Sequence, residues 1–163
     1  MSENGNTGKK TFIIFSGEMD KVLAGFVLAN AAAAMGDEVT MFFTFWGLNV
    51  LRREPAPHTN GKTTLQRMFG MMMPHGPKHL ALSHMNFAGV CPKLMAKAMS
   101  DQHVPPVYEM LETAREQGVK MVACTMSMDV MGIKQEELID GLEYAGAATY
   151  LGEADEANVN LFI

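Results

Sequence analysis

The sequence predicts a single α/β domain built as a three-layer sandwich around a mostly parallel sheet. Short β-branched and aromatic runs recur along the chain, helical stretches separate them, and no internal repeat divides them. Strands joined through helices pair in parallel with right-handed crossovers, which places helices over the sheet faces.

Each element has its own local signal. Thr11–Ser16 (TFIIFS) is a buried strand closed by Gly17. Glu18–Met35 is a helix, with acids in its first turn and Gly36 past its end. Its apolar residues lie on every side, which suits a deeply sandwiched helix or one in an oligomer interface. Glu38–Phe45 (EVTMFFTF) is the second strand, and Trp46–Arg53 continues as a short helix. Beyond an insertion at residues 55–105, Val107, Met110, Leu111 and Ala114 form one helical stripe opened by Pro106 and closed by Gly118. Val119–Cys124 is a strand, and Met126–Met131 a short helix ending at Gly132. A further helix is expected to carry Leu138, Ile139, Leu142 and Ala145 on one face. Ala147–Leu151 is then read as the last strand and Ala154–Phe162 as a terminal helix.

The 163 residues suit one domain, with 1–10 a flexible polar start and 11–163 the folded unit. A hydrophobic share of 48% and a charged share of 19% exclude a disordered or fibrous chain. Two cysteines make no disulfide scaffold, and Met1–Lys10 does not read as a signal peptide, so a reducing cytoplasm is expected. The apolar stretches Val22–Met35 and Val39–Leu51 each fall short of the roughly 20 residues that span a bilayer.

A net charge of -5 argues against nucleic-acid binding. Locally the balance reverses. Residues 55–100 contain no Asp or Glu but hold Lys62, Arg67, Lys78, Lys93 and Lys97, four of the five histidines and seven of the 16 methionines. This Met/His-rich insertion is expected to be helical near Thr64–Met73 and Pro92–Met99.

Cys124 ends a strand where a helix begins, the edge at which α/β sheets collect ligands. Thr125 or Ser127 is available to cap that helix, and free amides there would stabilise a thiolate or a persulfide anion. Gly17 holds the corresponding position after the first strand. Asp129 would act in the opposite sense if it faced the sulfur, and a buried core cysteine is the competing reading.

Three stretches carry a family resemblance: ACTMSMDVMGIKQEELIDGLEYAGAATYL (Ala123–Leu151), KKTFIIFSGEMDKVLAGFVLANAAAAMGDEVTMFFTFWGLNVLRR (Lys9–Arg53) and MNFAGVCPKLMAKAM (Met85–Met99). Together they resemble the DsrE/DsrF-like superfamily, in its larger branch of DsrE-type, peroxiredoxin-family-like sulfurtransferases. The resemblance implies a flavodoxin-like sheet, a homo-oligomer and relay of sulfane sulfur between donor and acceptor proteins or small thiols. It aligns Cys124 with the persulfide-bearing cysteine of the family motif. At Cys91 the family has a small residue, so no role carries over there; Cys91 stays a candidate second thiol ahead of Pro92. Such transfer requires neither a metal nor an organic cofactor.

Other features carry less. His75, His79, His84 and Cys91 are zinc-ligand types, but their spacing closes no four-ligand pattern and Pro74 and Pro77 interrupt it, so no metal is expected. Gly61-Lys62-Thr63-Thr64 lacks the earlier glycine of a phosphate loop, Ala56 standing in its place. Met68 and Met71–Met73 form an adaptable apolar surface suited to core or oligomer contacts. The sequence thus points to a sulfur carrier or sulfurtransferase acting through Cys124. The second reading is a non-catalytic subunit that engages protein partners, or peripherally a membrane surface, through the basic insertion.

Overall fold

The computed structural model describes residues 8–57, 59–84 and 87–163. Five strands form one parallel sheet: β1 (Lys9–Ile14), β2 (Glu38–Phe43), β3 (Lys120–Cys124), β4 (Glu143–Ala145) and β5 (Val159–Phe162), in the order β4-β3-β2-β1-β5. The chain steps in one direction from β1 to β4, then returns past β1 to lay down β5. That reversal decides where the helices go, because a right-handed crossover changes sheet face when its direction of travel changes.

On one face lie α1 (Met19–Ala34) and α4 (Val107–Glu116), packed against each other. Phe12, Ile14, Met41, Phe43 and Met121 project toward them and meet Val22, Phe26, Met110 and Leu111 in the main core. The alternate residues of the same strands point the other way. There Phe42, Val122 and Cys124 form a smaller cluster with Tyr150 of α6 (Ala147–Asp155). The Phe42 and Tyr150 rings sit 5.0 Å apart, and the Tyr150 hydroxyl is 3.1 Å from Thr11 Oγ1. Among the described residues no helix is long and apolar enough to cross a membrane.

The first half follows the sequence reading closely, with the expected short helix after β2 taking the tighter 3₁₀ form over Phe45–Leu51. The insertion holds α2 (Thr64–Met72) and α3 (Val90–Asp101), neither of which buries a residue. The last third corrects the reading. The expected helix through Leu138 and Ala145 is instead a 3₁₀ turn at Gln135–Glu137, a bridge between Leu138 and Arg52, and strand β4. Leu138 is fully buried by that bridge, and Gly141 at φ 82° turns the chain into β4. The apolar spacing that suggests one helical face serves two different contacts. Ala147–Leu151 starts helix α6 rather than a strand, with Gly146 at its N-cap. Residues 159–162 pair with β1 as β5 rather than forming a terminal helix. In these short runs, period alone does not separate strand from helix; pairing to β1 and β3 does.

Candidate thiol site

Cys124 is the last residue of β3 and also the N-cap of the short helix α5 (Thr125–Met131). The strand alternation that sends Met121 and Ala123 into the main core turns Val122 and Cys124 toward α6. The residue is 2% exposed, so the resting chain covers it.

Neither Thr125 nor Ser127 caps α5, contrary to the expectation from sequence: the N-cap is Cys124 itself, and no side-chain cap bond forms. The Thr125 hydroxyl donates to the Ala145 carbonyl at 3.5 Å. The Ser127 hydroxyl, one turn into α5, lies 2.7 Å from Thr44 Oγ1. Thr44 follows β2, where its amide donates to the Ile14 carbonyl at 3.1 Å.

Burial pushes the Cys124 thiol up, but the dipoles of the neighbouring Ser127 hydroxyl and amide, Thr44 hydroxyl and Met126 amide outweigh it. The thiol is therefore held below its ordinary pKa. The Met126 and Ser127 amides occupy the second and third helical positions, the groups an N-cap acceptor ordinarily satisfies. Asp129 is exposed.

The remaining candidates lie apart. At Gly17 an added Cβ would fall 2.7 Å from the Trp46 carbonyl oxygen, so this glycine permits close packing of the β1 and β2 ends. Strand β2 stands between β1 and the strand bearing Cys124. Cys91 is half-buried in the first turn of α3, and both cysteines are free thiols. His75 is half-buried, His79 Nε2 lies 3.6 Å from a Glu54 carboxylate oxygen, and His84 is exposed. Among the described residues no three His, Cys, Asp or Glu side chains gather as a metal cage. Lys62 and Thr63 form no phosphate loop: Lys62 pairs with Glu137, and Thr63 shares a capping box with Gln66 at the start of α2.

Sequence reasoning missed Thr44. The available signal is a hydroxyl at the carboxyl end of the strand that pairs with β3, which the apolar run to Phe45 hides inside the expected strand.

Comparison with known proteins matches residues 7–162 to the DsrE/DsrF/DrsH-like family. The uncharacterized protein YrkE of Bacillus subtilis is 48% identical over 157 residues, covering 96% of this chain and 98% of that protein. The sulfur carrier protein DsrE2 of Allochromatium vinosum is 36% identical over 159 residues, covering 95% of this chain and 98% of its own. Among solved structures, the E. coli ychN protein superposes with a TM-score of 0.53 at 14% identity, covering 95% of this chain and 99% of that one. That likeness places the fold in the flavodoxin-like architecture.

Proposed function

This chain belongs to the DsrE/DsrF/DrsH-like family, and on that premise we propose that it is a sulfur carrier of sulfurtransferase type, holding sulfane sulfur as a persulfide on Cys124. The observation that carries the reading is the place of that sulfur, at the end of β3 and the start of α5, beside polar groups. Hydroxyls of Ser127 and Thr44 and amides of Met126 and Ser127 favour the anion at a site otherwise apolar. The A. vinosum relative, named a sulfur carrier, supports a sulfur-relay role in general.

The transfer balances without an oxidant. The Cys124 thiolate attacks the outer sulfur of a donor persulfide, R–S–SH. A new S–S bond forms, the old one breaks, and R–S⁻ leaves with the electron pair while the proton stays on the transferred sulfur. An acceptor thiolate then repeats the attack on Cys124–S–SH and releases the Cys124 thiolate. No metal or organic cofactor takes part. Because Cys124 is 2% exposed, loading requires movement of the first turn of α5 or of α6. The setting is a reducing cytoplasm, the working form a homo-oligomer, and the partners sulfur-bearing proteins or small thiols rather than nucleic acid.

The test is intact-protein mass after treatment with a small-molecule persulfide. One sulfur atom should be gained, be removed by reductant, vanish in Cys124→Ser and persist in Cys91→Ser. Loading that survives in Cys124→Ser rejects the assignment.

A second reading, a binding subunit, is favoured by one observation. Helices α2 and α3 bury nothing and expose Leu65, Met68, Met71, Met72 and Leu94 in the acid-free stretch. Such a surface suits an acidic partner or an anionic membrane. An inert Cys124 in a chain that still captures anionic vesicles would favour it.

A further inference from the structure

Arg52, Lys62 and Glu137 meet where the Phe45–Leu51 turn, the approach to α2 and the Gln135–Glu137 turn converge. Their side chains are 2%, 7% and 4% exposed. Glu137 accepts from Lys62 Nζ at 2.6 Å and from the Lys134 amide at 2.7 Å, while Arg52 Nη2 lies 3.4 Å away. One buried carboxylate therefore faces two buried cations. Nε and Nη1 of Arg52 have no hydrogen-bond partner among the described residues. An uncompensated buried positive charge with empty donors is costly to retain.

A cavity of about 500 Å³ opens beside this cluster, with Arg67 and His75 also on its wall. Gly70 lines it from the interior of α2, where glycine weakens a helix. A Cβ at that position would lie 4.0 Å from both Arg52 Nη2 and Lys62 Nζ. The absent side chain thus leaves room above the two nitrogens. Burial first, then the charges of Arg52 and Lys62, holds the His75 pKa below its ordinary value, so its imidazole is neutral at neutral pH.

We propose that this cavity binds a small multivalent oxyanion, of the class shared by sulfate, thiosulfate and phosphate, on Arg52, Lys62 and Arg67 over Gly70. The anion completes the charge balance that Glu137 leaves short, and it takes up guanidinium donors whose planar fork suits paired oxygens. A purely structural role, tying α2 to the Gln135–Glu137 turn, needs only the Lys62–Glu137 pair. It leaves the empty donors and the helix-interior glycine unexplained. The site does not depend on the chemistry assigned to Cys124.

The experiment is calorimetric titration of the full chain carrying Cys124→Ser, so that no sulfur transfer contributes heat. Sodium sulfate, thiosulfate and phosphate are titrated separately, with ionic strength held constant by sodium chloride. At least one should bind saturably with one site per chain. Gly70→Ala, which favours the helix while filling the space, should weaken it about tenfold, and Arg67→Ala several-fold, as expected for losing charge-assisted hydrogen bonds. Binding of all three supports a general oxyanion site, and binding of thiosulfate alone supports a sulfur-selective one. Absence of saturable binding by any of them, or unchanged affinity in Gly70→Ala, overturns the proposal.

Discussion

At Cys124 two forces act on one thiol in opposite directions. Burial favours the neutral form, and the dipoles of the nearby Ser127, Thr44 and Met126 groups favour the anion and prevail. Thr44→Val and Ser127→Ala each break the hydroxyl pair beside the sulfur, so each should raise the thiol pKa and slow alkylation at neutral pH by up to about tenfold, the scale of one hydrogen bond to a charged group. Competition between iodoacetamide and a free thiol standard checks this. The same shift has a stability consequence. A thiol whose pKa is lower in the folded state gains stability as pH rises through that value. The gain is complete above the unfolded-state pKa and lost as pH falls through the folded one. The stability difference between the native chain and Cys124→Ser, from urea denaturation, should therefore grow toward alkaline pH. The place of Cys124 at a strand-to-helix junction was legible in sequence, whereas the capping expected of Ser127 does not occur. Thr44 was not, because its part in the site comes from the lateral pairing of β2 with β3.

Among the elements, α6 packs over the cluster that buries that sulfur. Glu153 ties it to the sheet through Thr40 at 2.8 Å and Lys120 at 2.5 Å, and Tyr150 covers Phe42. Burial raises the Glu153 pKa, but the bonds from Lys120 and Thr40 lower it further, leaving it below the ordinary carboxylate value. Glu153→Gln should loosen α6 by about 1 kcal/mol and speed alkylation of Cys124 about fivefold. Alkylation that does not quicken would place the route through α5 instead. Helix α5 ends at Gly132, in the left-handed region at φ 67°, where an added Cβ would meet Gln66 of α2 at 2.5 Å. Gly132→Ala should destabilise the fold by about 1–2 kcal/mol from backbone strain and overlap together, read from the urea midpoint. The sequence announced α1, α4 and α5 through glycine stops and apolar stripes. It misled over β4, α6 and β5, where runs of three to nine residues owe their form to neighbours far along the chain.

Across the whole molecule the two faces of the sheet are unequally covered. Two packed helices close one side, while α6 covers the other and leaves Leu151 and Phe162 exposed at 59% and 67%. Exposed apolar rims of this kind mark contact surfaces. Sedimentation equilibrium should give a mass that is a multiple of 17.8 kDa, and Phe162→Asp should shift it toward the single chain. A monomer at all concentrations would contradict the expected self-association. The parallel architecture and the basic insertion were legible in composition and order. The unequal covering was not, because it follows from the reversal that carries β5 back past β1.

The account depends most on Cys124 holding negative charge. Thiolate absorbance, followed with pH in a Cys91→Ser background, reports that one sulfur alone. The account predicts ionisation below the pH at which free cysteine ionises; ionisation at or above it would contradict the account.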